Sequence, residues 1–431
     1  MSRFVAIRHG RAGGVSPLIR LRFGNRRASG GLRPPLALVI ALCALTAAVR
    51  ADDAPPFTVQ TADGKAVAGR LRELGPDWSV RLDGGRVDGA DVLTVRRAGR
   101  LPPLPAESWT QLLLAGGDCL PVEKPLLIGE RLHFRHPYLA GGEDTSVPLS
   151  AVSAVWFAGT AGENPERLRR RLVGETRKRD VVLLRNGDRL EGVFTALDEK
   201  SVVIEVDRKP VTVDVGRAAV VALSSDLTEA PHPKGVYGRA VLDDGARLSL
   251  ASARCADGAM LTGTTLFGAA LSLPLAKVAS LDLYQGKAVY ASDLTPIRYE
   301  YFPYLDDRWD YTRDGGVDGL DLRLAGSTYD KGLGLHSHSR LTYAVPPGCR
   351  RFDALVGLDD RGGRRGSVRI RLLADGKPID LGGDRELTAA GGPLRVNVDV
   401  SGAKEWTLEV DFGRGGPVQD HVDWADARFV K

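Results

Sequence analysis

Two histidines stand two positions apart in KGLGLHSHSR (Lys331–Arg340), out of six outside the N-terminal leader. Imidazoles so placed can ligate a metal, exchange protons, or hydrogen-bond a sugar hydroxyl. On one extended strand, residues i and i+2 project from the same face. His336 and His338 would then share a face with Arg340, while Leu335, Leu341 and Tyr343 take the core side. A metal site needs a third ligand, which His421 or Asp423 could supply. Spacing fixes no such ligand, so metal is the weakest reading. Sugar contact and a turn with imidazoles bonded to backbone stay open.

Other residues could do related chemistry. Sugars are held by aromatic faces under the ring and by polar side chains on its hydroxyls. Trp309, in the polar aromatic run YEYFPYLDDRWDY (Tyr299–Tyr311), is the better stacking candidate. Trp424, in DHVDW, reads more readily as core. Tyr329, just before the KGLG turn, fits either role. Asp359 and Asp360, in GLDDR, could hold a hydroxyl or calcium, or cap the amides of a turn. Arg361 opens the basic turn RGGRRG, which suits bidentate contact with an anion. Gly332 and Gly334 allow tight backbone and carry no chemistry themselves. There is no G-x-S-x-G, no H-E-x-x-H, no P-loop and no G-x-G-x-x-G opening a helix. Cys119, Cys255 and Cys349 form no C-x-x-C, which excludes a zinc cluster. One disulfide or small buried side chains are the alternatives, the second favoured.

These residues need strands to position them. SRLTYAV, RFDALVGL, SVRIRLLADGKPI, LRVNVDV, EWTLEVDF and VDWADARFV alternate with period two and show no helical period. They predict an antiparallel β-sandwich over residues 292–431. Upstream, a strand, glycine turn and strand recur at Gly64, Gly117, Gly187 and Gly245, each followed by an apolar closing run. We read four small β-barrel or rolled-sheet repeats, at 52–104, 105–160, 180–228 and 233–287. The third resembles SH3- or Sm-like barrels in its Asn186-Gly187 hairpin, and the units could instead pair into larger sandwiches. Between the second and third, residues 161–179 predict a helical linker, with Asn164 as cap and Pro165 at its first position. Its arginines could meet an anionic partner; a solvated face is the simpler expectation.

The first 51 residues hold nine arginines, no lysine and no acid, then the apolar run Leu36–Val49. They read as a signal peptide cut after Ala51, and the run is too short to predict a membrane span. An uncleaved anchor is the alternative. Removing nine arginines from a net charge of +5 leaves −4. The basic balance therefore belongs to the leader and does not argue for nucleic acid. A secreted, periplasmic or cell-envelope protein is expected.

The blocks GSTYDKGLGLHSHSRLTYAVP, FDALVGLDD, GSVRIRLLADGKPI, VDVSGAKEWTLEVDFG and DHVDWADARFV resemble, in order, the NPCBM/NEW2 domains. These are carbohydrate-binding modules of the kind found beside family-98 glycoside hydrolases. The resemblance implies a galactose-binding-like jelly roll, affinity for glycans, often galactose-terminated, and sometimes a structural calcium ion. The basic turn at Arg361 departs from the pattern and suits an acidic or sulfated glycan better. The upstream units do not resemble a glycoside hydrolase. The expectation is an all-β, non-catalytic glycan-binding protein. The alternatives are an envelope protein that binds other proteins and, less favoured, a hydrolase with its site between β units and sandwich. RNA binding is disfavoured by the leader and the mature charge.

Overall fold

The computed structural model describes residues 56–159, 162–304, 308–382 and 386–431. The predicted leader lies outside the described residues.

The four turn glycines are built alike. Gly64, Gly117, Gly187 and Gly245 have φ of 86°, 86°, 90° and 90°. Each donates its N–H to the carbonyl three residues back, on Thr61, Leu114, Leu184 and Leu242. That left-handed geometry is where glycine costs least.

The closing runs explain how the units meet. They form strands β1 (Val92–Arg97), β2 (Val152–Trp156), β3 (Ala218–Ala222) and β4 (Val278–Tyr284). β1 pairs antiparallel with β4, Leu281 opposite Val95. β2 pairs antiparallel with β3, Val155 opposite Val221. Each closing strand thus bridges its own unit to another, and a contact of Arg247 with Cys119 joins the two pairs. The units therefore line up as third, second, fourth, first along one large sheet. A strand covered on both faces reads as a near-continuous apolar run, as β3 (AAVVA) does, while the other three carry a few polar residues.

The C-terminal strands pack as two facing sheets. We label β5 (Gly332–His336), β6 (Ser339–Ala344), β7 (Arg351–Leu358), β8 (Ser367–Ala374), β9 (Glu405–Phe412) and β10 (His421–Val430). One sheet orders β5, β10 and β7 side by side, and the other β6, β9 and β8. Between them lie Tyr343, Phe352, Trp406, Trp424 and Phe429, all 0% exposed. Body and sandwich belong to a single compact unit.

Helix α1 (Pro165–Gly174) begins at Asn164, whose side chain accepts the Arg167 N–H. Arg167 and Arg171 are exposed, as a solvated face requires, while Arg169 and Arg170 turn inward. Arg169 is buried, bonds the Pro105 carbonyl at 3.0 Å and lies 5.4 Å from the Trp156 ring centre. Arg167 bonds the Asp318 carbonyl at 3.1 Å and Arg170 the Arg313 carbonyl at 3.0 Å. The helix points one way into the β body and the other into the sandwich, where free loop carbonyls accept its guanidinium groups.

Candidate functional site

The two histidines do not share a strand. His336 ends β5 in one sheet, and His338 precedes β6 in the other. The chain crosses between sheets at Ser337, whose Oγ donates to buried Asp420 at 2.6 Å. Ser339 Oγ donates to the His336 carbonyl at 2.7 Å. Local hydroxyl bonds of this kind compete with the regular ladder. Leu335, Leu341 and Tyr343 do point into the core.

Each histidine enters a different aromatic cluster. His336 stacks on Trp309, with centres 4.7 Å apart and planes 6° from parallel. His421, opposite His336 in register, lies 5.4 Å from Trp309 and 5.8 Å from His336. Tyr301 approaches His336 edge-on at 6.5 Å. The Trp309 carbonyl is held by the Tyr299 hydroxyl at 2.6 Å. Trp309 itself stays half-buried. His336 is buried, which lowers its pKa, and its Nδ1 faces the Ser337 carbonyl at 2.6 Å. It is therefore not the accessible group the alternation suggested. His421 Nδ1 has no hydrogen-bond partner among the described residues.

His338 sits in the second cluster, 4.9 Å from Phe302 and 5.6 Å from Phe412. Tyr304, 66% exposed, adds an edge contact to Phe412. Arg340 lies on β6, paired with Glu409 at 2.6 Å, and Arg371 takes the other Glu409 oxygen at 2.7 Å. Arg340 thus shares no face with His336, because the sheets diverge at Ser337.

The acidic candidates are engaged within the chain. Asp360 accepts the N–H groups of Ala325 at 3.0 Å and Gly326 at 2.6 Å. Buried Asp359 accepts the Arg361 N–H at 2.7 Å and its guanidinium at 3.0 Å. Arg361 also meets Glu166 of α1, which bonds Arg323 at 3.1 Å as well. Asp423 is 0% exposed and accepts the Arg323 N–H at 2.7 Å. Burial, then the neighbouring Asp359 carboxylate, hold its pKa well above the usual range. No group of three or more His, Cys, Asp or Glu is placed to hold a metal among the described residues. Asp359 and Asp360 turn oxygens to N–H donors, while Asp423 Oδ1 has no hydrogen-bond partner among the described residues. Tyr329 lies apart, at the junction with the β body, under the Arg96 guanidinium at 5.7 Å. Gly332 and Gly334 do sit against backbone: a Cβ there would meet the Trp424 carbonyl and the Gly315 carbonyl. Trp424 is core.

Sequence reasoning missed Glu166, Ser337, Asp420, Tyr301, Phe302 and Phe412. Asp420 stood in the DHVDW block and Tyr301 in the aromatic run, but nothing local marked Glu166.

The NPCBM/NEW2 domain model matches residues 287–430. This part of the chain is an NPCBM/NEW2 domain. It is a module of carbohydrate-binding type. A Renibacterium salmoninarum protein, provisionally named endo-alpha-N-acetylgalactosaminidase, is 34% identical over 118 residues, which is 26% of this chain. The chain spans 7% of that relative's length. Among solved structures, the CBM51 module of Clostridium perfringens GH95, in complex with methyl-galactose, is 24% identical. It covers 33% of this chain and 99% of its own, with a TM-score of 0.30. The CBM51-2 module with the INT domains of Clostridium perfringens ZmpB, in complex with GlcNAc, is 28% identical. It covers 40% of this chain and 36% of its own, with a TM-score of 0.31.

Proposed function

We propose that this chain is an exported, non-catalytic glycan-binding protein whose NPCBM/NEW2 domain takes a sugar at the Trp309–His336–His421 cluster. The observation that carries this is the half-buried Trp309 ring, stacked on His336 with its backbone carbonyl held by Tyr299, beside His421, whose Nδ1 has no hydrogen-bond partner among the described residues. A rigid aromatic face with a polar group at its edge is what a sugar ring requires. Arg364 and Arg365 stay exposed in the basic turn, and Gly362, two residues before Arg364, lies beside His421. They support an acidic or sulfated glycan, with a galactose-containing chain as the neutral alternative.

A cavity of about 690 Å³ lies between β body, α1 and sandwich, where a hydrolytic site would sit. Its acids are largely taken up. Asp118 accepts Ser249, Lys331 bridges Asp293 and Asp314, and Arg247 takes Asp330. Buried Asp321 keeps one oxygen without a hydrogen-bond partner among the described residues. Among these residues no pair of carboxyl groups is set apart there in the way that glycoside hydrolysis uses.

A glycan array and calorimetry on the full chain test the reading. Binding to at least one galactose-containing or acidic glycan is expected, about 30-fold weaker in Trp309→Ala, the usual penalty for losing an aromatic anchor. It should be equal in calcium and in chelator. No binding to any glycan, or unchanged binding by the variant, rejects the proposal.

A further inference from the structure

A smaller cavity, of about 260 Å³, opens where the first β unit meets the sandwich. Its lining carries five cationic side chains, on Lys65, Arg96, Arg351, Arg395 and Arg428, against the carboxylates of Asp353 and Asp426. The pairing uses up both acids. Arg96 bonds Asp426 at 2.6 Å and, behind the wall, Asp282 at 3.1 Å. Arg351 grips Asp353 through two nitrogens, at 2.7 and 2.8 Å, and reaches the carbonyls of Thr61 and Ala62. Lys65 turns to Asp63 at 2.7 Å.

Donors are left over. Arg428 is 1% exposed, and only its Nη2 has a side-chain hydrogen-bond partner among the described residues, Gln60 Oε1 at 2.8 Å. Its Nε and Nη1 have none, and the Asp353 carboxylate stands 4.0 Å off. A guanidinium cannot shed its charge, so leaving it short of acceptors in a buried place is costly. Arg395 stands exposed at the rim and makes no hydrogen bond or ion pair among the described residues. Its neighbour on the same strand face, Asn397, offers an unpaired side-chain amide to the same space. A cavity whose cationic side chains outnumber its carboxylates five to two, with Arg395 unpaired at the rim, selects an anion over a neutral polyol. Its volume falls below the roughly 300–1,000 Å³ of sites for larger organic ligands, which selects a compact one.

We infer that this junction cavity binds a compact oxyanion, a sulfate, phosphate or sugar carboxylate, through Arg395, Asn397 and Arg428. The site shares no residue with the Trp309 cluster and stands or falls separately from it.

The full chain is titrated calorimetrically with sodium sulfate, inorganic phosphate and sodium glucuronate, chloride holding the ionic strength constant. Saturable binding of at least one anion is expected, and the strongest arm names its class. Arg395→Gln should weaken it about 10-fold or more, since a charge-assisted hydrogen bond is lost. Asn397→Ala should weaken it less, and Trp309→Ala not at all. Sulfate also raises melting temperatures by general exclusion from protein surfaces. A rise of equal size in wild type and Arg395→Gln therefore counts against the site. No saturable binding in any arm, or equal affinity in wild type and both cavity variants, overturns it.

Discussion

Asp420 links the histidine turn to the strand that carries His421, and its replacement should make the protein more stable at neutral pH. The side chain is 0% exposed; its carboxyl accepts Ser337 Oγ at 2.6 Å and the Ser367 N–H at 3.1 Å. Burial pushes its pKa from 3.8 up to about 6, against the pull of those two bonds. One unit corresponds to about 1.4 kcal/mol, so ionised Asp420 costs the folded state up to roughly 3 kcal/mol. The sign follows from proton counting. Between pH 3.8 and about 6 the unfolded chain has released this proton and the folded chain keeps it. Stability therefore falls as pH rises through that window, and the full cost is present above it. Asn fits the same space. Its oxygen can accept Ser367 N–H and its amide can donate to Ser337 Oγ. Asp420→Asn should exceed wild type by about 1–3 kcal/mol near pH 8, and the gap should close near pH 4. Urea unfolding of the full chain, followed by tryptophan fluorescence across that range, measures it. His336, whose pKa burial lowers, loses stability in the opposite direction as pH falls, but it does so in both proteins and leaves the difference. A gap that is absent, or that stays constant with pH, refutes the reasoning.

Glu166→Gln removes the anionic partner of Arg323 and Arg361, and a loss of about 2 kcal/mol in urea unfolding is expected at this half-buried site. Trypsin should then cut within α1 faster than in wild type, and unchanged cleavage together with unchanged stability would contradict the docking of the helix. Cys119, Cys255 and Cys349 are free and buried; burial raises all three pKa values, that of Cys119 to about 11. Iodoacetamide should leave all three unmodified in the native protein and alkylate all three in denaturant, as mass spectrometry would show. Gly334→Ala would bring a Cβ to 2.5 Å from the Gly315 carbonyl oxygen and 2.6 Å from the Val317 nitrogen. Both are backbone atoms that cannot step aside, so a loss of more than about 2 kcal/mol is expected in the same unfolding assay.

The parts of the fold that repeat with a period were legible in the sequence. Alternation placed Leu335, Leu341 and Tyr343 in the core, where all are 0% exposed. Short, mainly apolar runs marked the closing strands, although which partner covers each was not written locally. The histidine turn was misread for a definable reason. S-H-S has no apolar period of its own, so the flanking alternation was carried straight through it. The side-chain bonds of Ser337 and Ser339 instead send the chain from one sheet to the other. Arg361 was misjudged because its partner Glu166 stands 195 positions away. A charged residue advertises no partner in its neighbours, and a surface reading is then the default.

The position of α1 bears on where a ligand can approach. Asp359, Arg361 and Asp423 were natural sugar contacts while the sandwich was considered alone. Glu166 lies over that end, holding Arg361 and Arg323 and accepting the Asp321 N–H at 3.2 Å. A glycan reaching Arg361 would have to displace a carboxylate that already supplies the acceptors it would offer. Glu166 thus does at that end what an acidic ligand would do, and does so intramolecularly, at no translational cost. The proposed sugar site is left the side of the sheet where β5 ends in His336 and β10 begins at His421, beside Trp309. Glu166→Gln should therefore leave glycan affinity unchanged within about twofold even as it loosens the helix, since a residue that only fixes the scaffold contributes nothing at the contact. A tenfold change in affinity in that variant, measured under conditions where it remains folded, would return Arg361 to the binding site.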